Sequence, residues 1–101
     1  MSDVLNYIRH HLSEAITTED IAKSLYMSRS YLSVKFKEET GENLFSFITK
    51  VKIDEAKRLL RYSDKSLTSI ALYLGFSSQS HFTRVFKAHT TLTPNEYRGQ
   101  F

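Results

Sequence analysis

Ser28-Arg29-Ser30-Tyr31-Leu32-Ser33-Val34-Lys35-Phe36-Lys37 returns fifty residues later as Ser78-Gln79-Ser80-His81-Phe82-Thr83-Arg84-Val85-Phe86-Lys87. What is kept is a serine, apolar residues four and eight places on, and a lysine after the second of them. Ile21-Ala22-x-x-Leu25 stands ahead of the first copy, and Ile70-Ala71-x-x-Leu74 ahead of the second. Apolar side chains four residues apart share one face of a helix, and a serine just before such a stripe is a helix cap. Each copy therefore reads as a short helix, a tight turn and a second, serine-capped helix.

Working outward, the remaining residues extend this pattern without introducing strands. Val4, Leu5, Ile8 and Leu12 predict a first helix over 2–12. Thr17-x-x-Asp20 has capping-box spacing and opens a second over about 18–25. The third runs from the Ser28 cap to about Glu39 and stops at Gly41. Asn43 caps a long fourth helix, about 43–61, carrying Phe47, Ile48, Val51, Ile53, Ala56, Leu59 and Leu60. Ser66 caps a fifth at about 67–74, ended by Gly75. The sixth covers about 79–89, and Pro94 opens a short seventh. The fold class is all-α: two helix-turn-helix lobes, about 1–42 and 62–101, joined by the long helix.

Composition removes several classes of function. One proline and three glycines in 101 residues leave few breakers, which suits an all-helical chain. Zero cysteines exclude disulfides and thiolate metal sites and fit a reducing cytoplasm. No apolar run is long enough to span a membrane, and the first residues lack the apolar core of a signal peptide. The adjacent His10 and His11 diverge on a helix, and His81 and His89 lack a nearby acid, so no metal pair forms. Phosphate loops, nucleophile elbows and clustered acid–base groups are missing, so neither an enzyme nor a cofactor is expected.

Charge and helical wheels point to a polyanion. Residues 1–27 hold two basic and four acidic groups, residues 28–63 eight and five, and residues 64–101 four and two. The positive surplus lies with the repeats and the segment between them. In the sixth helix Phe82, Val85, Phe86 and His89 share the expected inner face, and Ser80, Thr83, Arg84 and Lys87 the outer one, with Gln79 at the exposed start. In the third, Leu32 and Phe36 point in, while Ser30, Ser33, Val34 and Lys37 point out, with Arg29 at the start. Small polar side chains let a helix approach base edges closely. Two such helices in one basic chain suit double-stranded DNA, whose major groove recurs every turn. The stripe Phe36, Phe45, Phe47, Phe76, Phe82, Phe86 and Tyr97 reads mostly as core.

The run Gly75-Phe76-Ser77-Ser78-Gln79-Ser80-His81-Phe82-Thr83-Arg84-Val85-Phe86-Lys87, followed by Thr93-Pro94-x-x-Tyr97-Arg98, resembles the signature of the AraC/XylS family of bacterial transcription regulators. The first half is similar too, through Ile21-Ala22, then Ser28-x-x-x-Leu32-x-x-x-Phe36-Lys37-x-x-Thr40-Gly41, then Ile53-x-x-Ala56-x-x-Leu59-Leu60. The resemblance covers essentially the whole chain. It implies a DNA-binding domain whose third and sixth helices enter successive major grooves of an asymmetric site. Carried over by position, it makes Gln79, Ser80, His81, Thr83 and Arg84 base-facing in the second lobe. In the first lobe the matching positions are Ser30, Ser33 and Val34, with Arg29 nearby. Lys37 and Lys87 are the phosphate candidates.

Three departures from the family pattern carry structural expectations. Thr91 stands where the family usually has glycine; a β-branched residue is poorly suited to positive φ, so that turn is expected to differ. Lys52 stands where arginine is usual, which weakens any bidentate pairing. Tyr26 occupies the turn position matched by Gly75, so the two turns need not share a conformation.

The resemblance also implies that most relatives carry a sensing, dimerising or phosphorylatable domain ahead of this one, while a minority stand alone. The domain itself is expected to be monomeric and cytoplasmic, with RNA polymerase as a candidate second partner. The competing reading is a helical adaptor that docks an acidic partner, such as an RNA polymerase subunit. A 19-residue fourth helix is about 28 Å long, slightly less than the roughly 34 Å between successive major grooves.

Overall fold

The computed structural model describes residues 2–101 and is helical throughout, with seven helices and no strand among the described residues. These are α1 (Ser2–His10), α2 (Thr18–Ser24), α3 (Arg29–Thr40), α4 (Leu44–Tyr62), α5 (Leu67–Tyr73), α6 (Gln79–Thr90) and α7 (Pro94–Arg98). None is long and apolar enough to cross a membrane.

The starts are set by side chains that accept the orphan N–H groups of a first turn. Ser28 Oγ accepts from Tyr31 N at 3.1 Å, Ser66 Oγ from Ser69 N at 3.1 Å and Ser78 Oγ from His81 N at 3.0 Å. Asn43 Oδ1 accepts from Phe45 N at 2.9 Å. Thr17 and Asp20 form the expected reciprocal box, and Thr93 and Glu96 form a second. In the latter, the donated Thr93 N–H holds the Glu96 carboxyl below its ordinary range.

The chain divides into two compact units. One holds the residues up to Leu12 together with Ile16–Thr49; the other holds Ser13–Ala15 and Lys50–Phe101, so the division falls within α4. In the first unit α2 packs on α3, and the core is Val4, Ile8, Ile21, Ala22, Leu32, Phe36, Leu44 and Ile48. In the second, α6 contacts both α5 and α7. Its core is Ile53, Ala56, Leu59, Leu60, Ile70, Ala71, Leu74, Phe82 and Phe86. Ring contacts run from Phe76 to Phe82, Phe86, Tyr97 and Phe101, with centroids 5.3 to 5.8 Å apart. Arg98 ties α7 to the end of α4, its Nε donating to the Leu60 carbonyl at 3.1 Å and its Nη2 to that of Ser63 at 3.3 Å.

Two expected core positions lie outside. Phe45 follows Leu44 by one residue, about 100° around the helix, and so leaves the stripe formed by Leu44 and Ile48; it is 71% exposed. His89 shares the inward direction of Phe82. Lys87, Ala88 and His89 are nevertheless all exposed, because the last turn of α6 runs past the edge of its core.

The turns also differ from expectation, and towards greater similarity. Tyr26 has φ +57° and Gly75 φ +78°, both left-handed. Tyr26 N donates to Lys23 O and Met27 N to Ala22 O; Gly75 N donates to Leu72 O and Phe76 N to Ala71 O. The second turn is longer by one residue, Ser77. Surroundings explain the different residue types. Tyr26 is 97% exposed, whereas a Cβ on Gly75 would lie 2.5 Å from the Glu14 carbonyl carbon.

The ends of α3 and α6 match as well. Gly41 has φ +77° and Thr91 φ +68°, and each amide donates 2.8 Å to a lysine carbonyl, of Lys37 and Lys87 respectively. Ahead of each, a threonine hydroxyl bridges the helix end to the next strand of chain. Thr40 Oγ1 donates to Phe36 O and accepts from Glu42 N, and Thr90 Oγ1 does the same with Phe86 O and Leu92 N. Thr91 therefore adopts the conformation that glycine would, against its own preference.

Lys52 is buried at 7% exposure. Its Nζ donates to the Glu14 carbonyl at 2.7 Å and lies 5.8 Å from the Phe76 ring centroid. A carbonyl needs only one donor, so this site functions without the fork of an arginine. Burial pushes the Lys52 ammonium below its ordinary value of 10.5.

Two predictions follow from these strained and buried groups. A non-glycine residue in the left-handed region costs about 1–3 kcal/mol, and glycine returns about 0.4–1 through unfolded-chain entropy. Thr91→Gly should thus raise unfolding free energy by about 1 kcal/mol in denaturant titrations, while Gly75→Ala should lower it more steeply. For Lys52, the folded state binds fewer protons than the unfolded state between its lowered value and 10.5, so stability rises with pH across that window. Wild type should show this rise relative to Lys52→Met when both are unfolded at several pH values below 10.5.

Candidate nucleic-acid interface

The buried pair on each of α3 and α6 decides what the other side of the helix offers. Leu32 and Phe36 are fully buried on α3, which leaves Arg29, Ser30, Ser33, Val34 and Lys37 exposed. Arg29, Ser33, Val34 and Lys37 line one groove with Thr18 of α2 and with Asn43, Leu44 and Phe45 at the start of α4. Ser30 is exposed but lies outside that lining. Val34 (58% exposed) and Phe45 give the groove an apolar side, while Arg29 and Lys37 give it positive charge.

In the second unit the side chains lining the surface of α6 are all polar or charged. Phe82 and Phe86 are fully buried on α6, and Gln79, Ser80, Thr83, Arg84 and Lys87 line one shallow surface. All five were expected there from the sequence. His81 is not with them. It is half-buried, its ring meets Phe76 edge-on at 5.5 Å, and its Nδ1 is 3.2 Å from the Ser77 hydroxyl. That histidine and the additional turn residue Ser77 brace the start of α6.

Chemically, the second surface carries hydroxyl and amide groups flanked by an arginine and a lysine, a set able to meet base edges and phosphates. The first offers a guanidinium, two hydroxyls, an ammonium and two exposed apolar groups. Phe45 and Thr18 were not read as site residues. The signal for Phe45 was its place one residue off the Leu44–Ile48 stripe. Thr18 had none beyond its place at the first turn of a capped helix. Among the described residues no group of three or more histidines and carboxylates could hold a metal ion.

Comparisons with known proteins agree with this geometry. The sequence model described as a helix-turn-helix domain matches residues 21–100. A transcriptional regulator of helix-turn-helix type from Staphylococcus aureus is 38% identical over 99 residues, covering 98% of this chain and 13% of that protein. The regulatory protein PocR of Salmonella typhimurium is 39% identical over 100 residues, covering 99% of this chain and 33% of its own length. The chain thus spans a third or less of these relatives. Among solved structures, the C-terminal domain of AraT, a response regulator from Geobacillus stearothermophilus, is similar with a TM-score of 0.93 and 31% identity, covering 97% of this chain and 82% of that one. The DNA-binding domain of AdpA, solved in complex with a target DNA, has a TM-score of 0.91 and 28% identity, covering 98% and 89%.

The exposure of the apolar groove residues makes a stability prediction. Surface substitutions usually change stability by no more than about 0.5 kcal/mol, so Val34→Ser and Phe45→Ser should leave the melting transition almost unmoved. Phe47, half-buried with its ring edge-on to Phe36 at 5.3 Å, should behave differently, with Phe47→Ser costing about 3 kcal/mol. Thermal denaturation of the three variants checks the contrast.

Proposed function

The chain belongs to the AraC-type helix-turn-helix family of DNA-binding transcription-regulator domains, and from that premise we propose that α3 and α6 read two successive major grooves of one asymmetric duplex site. The observation that carries this reading is the contiguous α6 surface of Gln79, Ser80, Thr83, Arg84 and Lys87, matched in placement on α3. Gln79, Ser80, Thr83 and Arg84 meet base edges, and Lys87, three residues beyond Arg84, meets phosphate. In the first lobe Arg29, Ser30 and Ser33 supply hydrogen bonds, Val34 packs on a thymine methyl, and Lys37 meets phosphate. His81 supports the helix start rather than a base.

The second lobe, whose α6 surface is lined by polar and charged side chains alone, anchors, and the first lobe adds affinity conditionally. The chain acts as the DNA-binding domain of a cytoplasmic transcription regulator. The domain itself is monomeric, and contact with RNA polymerase is a secondary role.

Duplex binding should be salt-sensitive, with log K falling against log salt by roughly 0.9 per phosphate neutralised over about four to seven contacts. Titration of a labelled site at several salt concentrations measures the slope. A flat response, or equal affinity for an acidic polypeptide, favours the adaptor reading. If Arg84 meets guanine through both nitrogens, Arg84→Ala should cost about 1–3 kcal/mol and relax selectivity at one base pair. Lys87→Ala should mainly reduce the salt slope. Selection from randomised duplexes with wild type and Arg84→Ala decides this; an unchanged base preference removes Arg84 from the base-reading set.

A further inference from the structure

Thr68, the second residue of α5, donates its hydroxyl to the side-chain oxygen of Gln79, the first residue of α6, at 2.6 Å. Both residues are exposed, so the bond does not rescue a buried polar group. Its consequence concerns direction. A glutamine amide is planar and carries an acceptor oxygen on one arm and a donor nitrogen on the other. With the oxygen turned to Thr68, the nitrogen is left for whatever meets the surface shared by Gln79, Ser80, Thr83, Arg84 and Lys87.

An unconstrained glutamine pairs with adenine by using both ends, accepting from N6 and donating to N7. Held as it is here, Gln79 has one of its oxygen's two lone pairs and the orientation of its amide taken by Thr68, which biases it towards donating. Guanine presents N7 and O6, both acceptors, at the same edge, whereas the N6 amino group of adenine faces a donor. We propose that Thr68 is a specificity-determining positioning residue, which turns Gln79 into a reader of guanine rather than adenine. The inference rests on the reading of α6 as a base-reading helix.

The first lobe shows that the device is not a general requirement of the fold. Its equivalent positions hold Glu19, the second residue of α2, and Arg29, the first of α3, which line one groove with Ile16, Thr17, Thr18 and Phe45. No hydrogen bond joins Glu19 to Arg29 among the described residues. A guanidinium has only donors, so its preference needs no such orientation. Glutamine is ambivalent, and a neighbouring hydroxyl resolves the ambivalence.

The test uses the whole chain and randomised duplexes. Gln79→Ala first locates the base pair that Gln79 reads, as the position whose preference disappears. At that position wild type should favour guanine over adenine by about tenfold, the factor expected for one good pairing. Thr68→Val keeps the shape and β-branching but removes the donor, so it should shift that single position towards adenine and leave the others unchanged. Thr68→Ser keeps the hydroxyl and should retain guanine. Thermal unfolding of each variant checks that the shift is not a loss of fold. If Thr68→Val retains the wild-type preference there, Thr68 does not orient Gln79 and the proposal is wrong, while the reading of α6 stands. If Gln79→Ala changes no position, both fail at that residue. If wild type selects no sequence at all, the base-reading role of α6 fails as well.

Discussion

Everything that α3 and α6 present outward depends on the packing of α2 and α5 beneath them, where each supplies a buried isoleucine–alanine pair. Ile21 and Ala22 of α2, and Ile70 and Ala71 of α5, are almost completely buried beneath helices whose own Leu32 and Phe36, or Phe82 and Phe86, are fully buried. α2 packs on α3 and α5 on α6, and the alanine of each pair is almost completely buried. A larger residue at Ala22 or Ala71 would overpack the core around it. Fixing the inner face of a helix fixes its outer face, at 100° per residue. Arg29, Ser33, Val34 and Lys37, like Gln79, Ser80, Thr83, Arg84 and Lys87, are presented together for that reason. Function here is the far side of packing.

The turn between the paired helices enforces the same constraint with different chemistry in each unit. Both turns use one residue in the left-handed region. In the second unit that residue is glycine because the Glu14 backbone leaves no space for a side chain. The first has open solvent there and tolerates a tyrosine. Thr91 shows the same tolerance at the end of α6, where a threonine takes the backbone conformation that Gly41 takes at the end of α3. Equivalent geometry is therefore reached with and without glycine, and the difference is stored as strain.

Much of this was legible in the sequence because the repeat carries its own punctuation. Ser28, Ser66 and Ser78 as caps, the Thr17–Asp20 box and Gly41 as a stop marked most helix ends to within a residue or two, and the apolar stripes gave the buried faces. The outward-facing set on α6 was legible for the same reason, since periodicity separates its two faces. What was missed depends on three-dimensional surroundings that periodicity does not encode. Phe45 and His89 were placed inside by residue type or wheel angle, but the edge of each core decides exposure. His81 was grouped with its neighbours by position, whereas Phe76 and Ser77 draw it to the flank. The bond from Thr68 to Gln79 joins residues 11 positions apart, and only the fold brings them within reach.

The central claim is that both outer faces engage one duplex through a single continuous α4. The measurement that tests it most directly is affinity for duplexes whose two half-sites are moved apart by five base pairs, half a helical turn, which places them on opposite faces of the DNA. The account predicts that binding to the shifted duplex falls to that of a single half-site. Unchanged affinity would contradict it and leave one lobe carrying recognition alone.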